Sequence, residues 1–237
     1  AALTGAPLRQ PELKMPAEGP TVKGQVEINI TAPELNPRFV FGLIRNVETQ
    51  PSPYHIQRRL RLAGMRPIDC VVDATNYAML ELGEPLHAFD YDVLVERAGG
   101  QTPTIITRTA RPGEKLVTLD EVERELDDFT VLVTDTKSAL ALAGVMGGLE
   151  SEVTSKTRNV LLEGANWNLV NTRRTSTSHK LNSEASYRFA RGVHPELAPQ
   201  GVRLGLEYMA RWSSGQIAAD LVDAYPQPAL DPILTIT

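Results

Sequence analysis

The 237-residue sequence has only one cysteine and no long apolar run, and each shortage excludes a class of protein. Cys70 alone cannot form an internal disulfide or a Cys-x-x-Cys metal site, so nothing requires an oxidising compartment. The longest apolar stretch, residues 139–149, is about eleven residues long, whereas a membrane-spanning helix needs roughly 20. No secretory signal is recognisable either. We therefore expect a cytoplasmic chain with no membrane segment.

The common cofactor and catalytic motifs are also missing. The sequence contains no Gly-x-Gly-x-x-Gly, no Walker loop, no Gly-x-Ser-x-Gly and no His-Glu-x-x-His. The glycines of residues 144–148 have the wrong spacing for a phosphate loop. The histidines are scattered without a second metal ligand at helical spacing: His55, His87, His179 and His194. We expect neither a metal nor a cofactor in this chain.

The composition is typical of a folded protein, with 42% apolar and 22% charged residues. The net charge of −5 means that the surface as a whole does not attract nucleic acid, so any contact with RNA must be local. Arginines occur in two clusters, at residues 58–66 and 173–191. Each is interpreted first as a solvated face and second as an RNA contact.

The pattern of elements predicts an α+β fold of layered mixed and antiparallel sheets flanked by helices, a three-layer β/β/α sandwich. Residues 1–37 hold six prolines and are predicted as a linker, in which Val22–Ile30 could form one edge strand. The folded module is predicted over residues 38–225, with two interlocked subdomains as an option, and residues 226–237 as a second linker.

Within the module, helices and strands are predicted from periodicity, caps and turns. Ser52 is expected to cap a first helix and Asp73 a second one that runs to Leu82. Polar residues 169–181 and residues 195–212 are predicted as further helices. The predicted strands, several of them in hairpins, are residues 39–47, 105–109, 115–119, 129–134, 139–143, 159–163 and 217–222.

Three segments combine polar residues with apolar, sharply turned surroundings: residues 66–77, 83–90 and 161–167. Glu163 interrupts an apolar run, so a carboxylate buried there must be paired, hydrogen-bonded or neutralised. A structural ion pair, or a side chain facing outward, is the simpler interpretation. For His87 the simpler interpretation is likewise a satisfied core histidine, whereas Thr75 and Asn76 are equally consistent with helix capping and with a functional role.

The same segments resemble a known family. Together they are similar to the central editing, tRNA-binding module of the beta subunit of bacterial phenylalanyl-tRNA synthetase. The resemblance runs in order from about residue 37 to 225, which implies a fragment of a longer subunit. The strings that carry it are RRLRLAGMRPIDCVVDATNYAMLELGEPLHAFD, ALAGVMGGLESEV, NVLLEGANWN and NSEASYRFARGVHP.

The resemblance implies hydrolysis of tyrosine mistakenly esterified to tRNA(Phe). It places Glu163 at the tyrosine hydroxyl and His87 at the ester end, and it makes His87, Asn76 and Thr75 the catalytic candidates. Donors in the first helical turn after Asp73 are expected to face the ester carbonyl. The substrate-binding candidates are Glu163, Arg66, Gly144, Gly147, Ser183 and Ala185. Two residues depart from the family pattern: Ser183 replaces a threonine and His194 an aspartate.

The implied partners are the 3′ end of tRNA(Phe) carrying tyrosine, the synthetase alpha subunit and the other beta-subunit domains of an α2β2 enzyme. The parent enzyme is expected to use ATP and Mg²⁺ elsewhere, with no cofactor in this segment. One alternative is a non-catalytic module that positions RNA. Another is a freestanding trans-editing protein.

Overall fold

The computed structural model describes residues 4–7, 13 and 19–229 and contains three sheets and six α-helices within them. The helices are α1 (Tyr54–Leu62), α2 (Cys70–Leu82), α3 (Tyr91–Arg97), α4 (Leu169–Ser178), α5 (Glu184–Phe189) and α6 (Leu197–Ser213). None of these described helices has the length and apolar character needed to cross a bilayer.

The strands form two five-stranded sheets and one small hairpin. Sheet I has the order β1 (Glu27–Ile30), β4 (Thr104–Thr109), β7 (Val131–Thr134), β8 (Ala139–Leu142), β9 (Met146–Gly147). Sheet II has the order β11 (Gln216–Ile217), β2 (Arg38–Arg45), β10 (Val160–Asn166), β3 (Leu86–Asp90), and β12 (Val222–Ala224) also pairs with β2. The hairpin joins β5 (Lys115–Val117) to β6 (Glu123–Glu125).

The alternation of side chains along each strand builds the layers. On β10, Leu161 and Ala165 belong to the core between the two sheets, whereas Leu162 packs on the helices. The helical layer consists of α1, α2 and α6, which cover the outer face of sheet II. The predicted α+β sandwich of two sheets and a helical layer is therefore confirmed.

The fold begins before the predicted boundary at residue 37. Strand β1 pairs in parallel with β4, and Val22 and Val26 are fully enclosed in the core between the sheets. The linker interpretation is therefore wrong for residues 20–37, because the alternating apolar residues that suggested an edge strand are buried there. Residues 1–3, 8–12, 14–18 and 230–237 of the two predicted linkers lie outside the described residues.

Two predicted helix caps are also wrong. Helix α2 begins one turn earlier, because the side chain of Asp69 accepts hydrogen bonds from the N–H groups of Val71 and Val72 at 2.8 and 2.9 Å. Asp73 lies inside the first turn, where its carboxylate accepts hydrogen bonds from the Ser52 hydroxyl and the Ile68 N–H. Ser52 therefore does not cap α1; it anchors the start of α1 to α2.

Other differences concern short elements. Strand β3 and helices α3 and α5 are not predicted, because five to seven residues are too few to show a clear period. The predicted final strand is divided into β11 and β12, both of which pair with β2.

Close packing of α6 on sheet II depends on Gly164. A Cβ on Gly164 would lie 2.8 Å from the carbonyl oxygen of Ala198 and 2.7 Å from the side chain of Val202. Gly164→Ala should therefore lower the free energy of unfolding by about 1–3 kcal/mol, measured by urea denaturation.

The matched control is Gly113→Ala. Gly113 has a φ of +74° but open space around it, so its substitution should cost only about 1 kcal/mol of backbone strain. Equal stability of Gly164→Ala and the wild type would contradict the packing role.

Candidate functional site

A cavity of about 250 Å³ lies between the two sheets beside β3, the edge strand of sheet II. This volume is just below the range usual for drug-sized ligands, so the cavity suits a small molecule or one amino-acid side chain. All but one of the predicted site residues line it: Thr75, Asn76, His87, Gly144, Gly147, Glu163, Ser183 and Ala185.

Strand pairing brings Glu163 and His87 together. The two residues are direct partners across the antiparallel β10–β3 ladder, and Phe41 of β2 pairs with Glu163 on the other side. Both side chains share the strand face of core residues Leu161 and Phe89, which point between the sheets. An acid and an imidazole separated by 76 positions in the sequence are thereby placed side by side.

Glu163 is a buried carboxyl group without a partner. Its side chain is enclosed, with the residue 6% exposed, and none of the described residues forms a hydrogen bond with Oε2. Burial raises the pKa of Glu163 to about 8. The group is therefore mainly a neutral acid at pH 7, able to donate one hydrogen bond and to accept others.

His87 is held as a neutral imidazole. Burial lowers its pKa to about 4, and its ring lies edge-on to Phe89 with a centroid distance of 4.4 Å. Nε2 is enclosed and has no hydrogen-bond partner among the described residues, whereas Nδ1 is not enclosed in this way. Nδ1 is thus the ring nitrogen that a water molecule can reach.

Two glycines shape the wall opposite these side chains. Gly144 has a φ of +66°, and a Cβ there would lie 2.8 Å from the indole of Trp167. A Cβ on Gly147 would lie 2.4 Å from Cε1 of His87. Glycine is therefore required at both positions, by backbone conformation at the first and by close approach at the second.

Helix α2 contributes Thr75 and Asn76 from its second turn. The Thr75 hydroxyl oxygen lies 2.7 Å from the carbonyl oxygen of Val72. The Asn76 amide takes part in none of the hydrogen bonds formed among the described residues. It is therefore available to water or a ligand.

The backbone donors predicted in the turn after Asp73 lie inside α2. Because this helix runs from Cys70 to Leu82, the N–H groups of Ala74, Thr75 and Asn76 donate to carbonyl oxygens of the preceding turn. They are not free to face an ester carbonyl, so this expectation is wrong. The side-chain amide of Asn76 is a donor that lines the cavity.

Ser183 links helix α5 to the glycine-rich wall. Its hydroxyl donates to the carbonyl of Val145 at 2.6 Å and accepts from the N–H of Ser186 at 3.0 Å. Serine and threonine share this hydroxyl, so the departure from the family pattern preserves both bonds. Ala185, in the first turn of α5, adds a small apolar side chain to the cavity wall.

Two residues singled out in the sequence lie away from the cavity. Arg66 is exposed in the loop between α1 and α2 and does not line the cavity, so it can contact only a part of a substrate that stays outside. His194 is also exposed, and its Nδ1 accepts a hydrogen bond from the N–H of Glu196 at 3.3 Å. Its replacement of aspartate leaves the cavity unchanged.

Sequence reasoning missed Glu84, a second buried carboxyl group. It is 1% exposed, its Oε1 is enclosed without a hydrogen-bond partner among the described residues, and its stem packs against Gly201 of α6. Burial, together with the nearby charge of Glu163, raises the pKa of Glu84 well above its usual value. No local signal marks this residue, because Gly-Glu-Pro after a helix resembles an ordinary exposed turn.

The described residues contain no group of three or more His, Cys, Asp or Glu side chains arranged to hold a metal ion. The buried titratable groups of the cavity are the neutral acid of Glu163 and the neutral imidazole of His87. The amide of Asn76, the hydroxyls of Thr75 and Ser183 and the exposed carboxylate of Glu184 complete its polar lining. Such a set can recognise a hydroxyl group and orient a water molecule.

Residues 35–213, well over half of the chain, match the model of the B3/4 domain, and this range includes every residue that lines the cavity. The chain belongs to the B3/4 domain family. The cavity is thus a feature of its B3/4 domain.

The B3/4 domain is similar to segments of much longer proteins. The chain is 47% identical over 225 residues to the phenylalanine–tRNA ligase beta subunit of Moorella thermoacetica, covering 95% of the chain and 27% of that subunit. It is 42% identical over 237 residues to the corresponding subunit of Symbiobacterium thermophilum, covering 100% of the chain and 26% of that subunit. The resemblance predicted from the sequence is confirmed, and the chain spans about a quarter of these curated relatives.

A solved structure shares the fold of the B3/4 domain. It is an N-terminal fragment of the phenylalanyl-tRNA synthetase beta subunit from Pyrococcus horikoshii, with a TM-score of 0.55 and 14% identity. The match covers 92% of this chain and 58% of that one. At this level of identity the likeness concerns the fold alone.

The pKa of Glu163 predicts a pH dependence of stability. The folded chain keeps this proton up to about pH 8, whereas the unfolded chain loses it near the ordinary value of 4.5. The folded state thus binds more protons, so its stability falls as the pH rises through this window. In Glu163→Gln that loss should be absent, and the stability gained over the wild type should grow to a few kcal/mol by pH 8.

Urea denaturation at pH 5, 6.5 and 8 measures the difference. Glu34→Gln, which removes an exposed carboxylate, is the control and should leave the pH dependence of stability unchanged. His87 has the opposite effect on the pH dependence of stability. Because its pKa is lowered, the stability of the folded chain falls as the pH drops from 6.5 towards 4. Parallel curves for the wild type and Glu163→Gln would contradict the buried neutral acid.

Proposed function

We propose that this chain is the editing module of a phenylalanine–tRNA ligase beta subunit and that it hydrolyses tyrosine from mischarged Tyr-tRNA(Phe). The observation that carries the proposal is the Glu163 carboxyl group, enclosed in the cavity with no partner among the described residues. A buried polar group in this state favours a ligand that supplies the missing hydrogen bond.

Tyrosine and phenylalanine differ by one hydroxyl group, which a hydrophobic pocket rejects only by about 10²-fold. A second site that prefers tyrosine would correct the resulting errors. Neutral Glu163 can accept from the phenol O–H and donate to its oxygen. A phenyl ring leaves the acid unpaired, at a cost of about 1–3 kcal/mol. The phenylalanine ester therefore binds less tightly than the tyrosine ester and is spared from hydrolysis.

The walls of the cavity suit an aromatic ring. Glycine at positions 144 and 147 lets the wall approach Trp167 and His87 without a clash, and Ala185 adds only a methyl group to the lining. We assign substrate-binding roles to these residues because they set the shape of the cavity. Ser183 acts indirectly, by holding the backbone of Val145 in this wall. Arg66 is assigned to the tRNA outside the cavity.

Hydrolysis requires attack of water on the ester carbonyl, cleavage of the bond to the ribose oxygen and transfer of a proton to that oxygen. We assign the orientation of this water to Nδ1 of His87, which is neutral at pH 7, and to the free amide of Asn76. Thr75 can accept a hydrogen bond at the same end. An aminoacyl ester is already activated, so no protein nucleophile is needed, and a neighbouring ribose hydroxyl could assist.

The same proposal includes the parent enzyme and its partners. The module would act on the 3′ end of tRNA(Phe) inside an α2β2 enzyme in the cytoplasm, beside the alpha subunit and other beta-subunit domains. ATP and Mg²⁺ would serve the aminoacylation site elsewhere in that enzyme. The alternative, a non-catalytic module that positions RNA, is supported by the exposed arginines at residues 173–191.

The hydroxyl-sensing role of Glu163 can be tested by ligand-induced stabilisation of the chain. Tyrosine should raise the melting temperature more than phenylalanine does, with at least about a tenfold difference in affinity. Glu163→Ala should abolish this difference. Glu84→Gln, a buried acid outside the cavity, should keep it. A preserved tyrosine preference in Glu163→Ala would refute the role.

The catalytic role of His87 is tested by deacylation of Tyr-tRNA(Phe) at high chain concentration. His87→Ala should slow deacylation by about 10²-fold, the usual contribution of a positioned acid or base. His179→Ala removes a histidine outside the cavity and should leave the rate unchanged. An unchanged rate in His87→Ala would remove this residue from the reaction. If the wild type does not hydrolyse the ester, the positioning alternative is favoured.

A further inference from the structure

One segment of the chain is locally positive, although the net charge of the chain is −5. Residues 169–195 form α4, α5 and their connections and carry five Lys or Arg side chains against a single carboxylate, that of Glu184. Glu184 is neutralised by Arg188, whose Nη1 lies 2.7 Å from its Oε2. The other cations of this surface form none of the ion pairs found among the described residues: Arg173, Arg174, Lys180 and Arg191.

Two of these side chains, Arg173 and Arg191, line a polar groove between α4 and α5. The groove has a volume of about 560 Å³, and its lining includes Arg173, Arg191, Tyr187, Thr177 and Asn182. It shares two lining residues with the cavity that contains Glu163, namely Ser183 and Glu184. The groove and the cavity are therefore neighbours at the N-terminal end of α5.

The guanidinium groups are held in place without losing their charge. Arg173 donates to the carbonyl oxygen of Ala190, and Arg191 donates to that of Tyr187, both at 2.7 Å. These partners are neutral, so the positive charges remain available to an anion. Arg191 also stacks on the ring of Tyr187, with 3.5 Å between the guanidinium carbon and the ring centroid.

Tyr187 is an unusual aromatic residue for a surface of this kind, because 57% of it is exposed. A second stacked pair, Arg174 on Phe129 at 3.5 Å, lies beside a shallow depression that also borders Arg173. Exposed aromatic rings and guanidinium planes bind the unstacked bases of single-stranded RNA, and free arginines bind its phosphates.

We propose that the groove between α4 and α5 binds the single-stranded 3′-terminal nucleotides of the RNA whose aminoacyl group enters the cavity. This inference rests on the proposed function. Arg173 and Arg191 contact the phosphates, and a terminal base stacks on the Tyr187–Arg191 pair. Because the groove and the cavity share Ser183 and Glu184, the groove sets the direction from which the ester arrives.

The arginines of α1 offer a contrast. Arg59 donates to the hydroxyl of Tyr77 and Arg61 to the side chain of Gln57, and neither residue lines the cavity or the groove. Arg58 is exposed on the same helix and lines neither. Arg58 therefore provides a matched control: an exposed arginine of the other cluster, residues 58–66.

The test measures binding of the full chain to a 5′-fluorescent RNA minihelix with a single-stranded 3′ end, by anisotropy at 50–200 mM salt. The double variant Arg173→Glu, Arg191→Glu should weaken binding more than about tenfold and reduce the salt slope by about 1.4, since each single-strand phosphate contact contributes about 0.7. Arg58→Glu should remain within about twofold of the wild type.

Tyr187→Ala separates stacking from charge. It should weaken binding of the minihelix by about tenfold while leaving binding of a blunt minihelix, which lacks the overhang, unchanged. Equal loss for both RNAs would overturn the stacking role. Equal loss in Arg58→Glu and in the double variant, or no preference of the wild type for the overhang, would overturn the inference as a whole.

Tyrosine-induced stabilisation distinguishes failure of the inference from failure of the proposed function. The groove variants should retain the wild-type shift in melting temperature with tyrosine, which also shows that they are folded. If this shift is normal and the double variant binds RNA like the wild type, the groove inference is wrong and the proposed function stands. If tyrosine gives no shift in the wild type, the proposed function fails, whatever the groove binds.

Discussion

The site depends on one physical constraint, a carboxyl group forced into the apolar space between two sheets. Strand alternation directs Glu163 to the same face as Leu161 and Ala165, so it cannot turn towards solvent without a shift of the entire β10 register. Desolvation then keeps this group neutral and unpaired. The folded chain carries this cost permanently, and a ligand with a hydroxyl group can relieve it.

The rest of the cavity is arranged around that acid. The β10–β3 pairing places His87 beside Glu163, and Gly147 leaves just enough room for the imidazole. Ser183 ties α5 to the opposite wall through Val145. Three separate elements thus meet at one small space, and each is fixed by backbone pairing or close packing. A site built in this way is preorganised, which favours binding of a ligand that carries the hydroxyl group over a ligand that lacks it.

Much of the fold could be predicted from the sequence, and the reasons for success and failure are physical. The long strand β2 and helix α6 have enough residues to display their periods, whereas β3 and α5 are too short. The sequence pattern places the cap of α2 at Asp73 instead of Asp69, because either aspartate satisfies the local pattern. The contacts distinguish the two: Asp69 binds the first N–H groups of the helix, whereas Asp73 binds Ser52 across the α1–α2 junction.

The sequence by itself determined which chemical groups are present: one acid in an apolar run, a histidine beside a turn, paired glycines and a family resemblance that named eight of the residues lining the cavity. Tertiary structure decided which of these groups meet, which are free and which are used. It placed Arg66 outside the cavity, enclosed the backbone donors after Asp73 within α2 and revealed Glu84 as a second buried acid. The physical reason is that burial and partnership depend on contacts between distant segments, which no local pattern encodes.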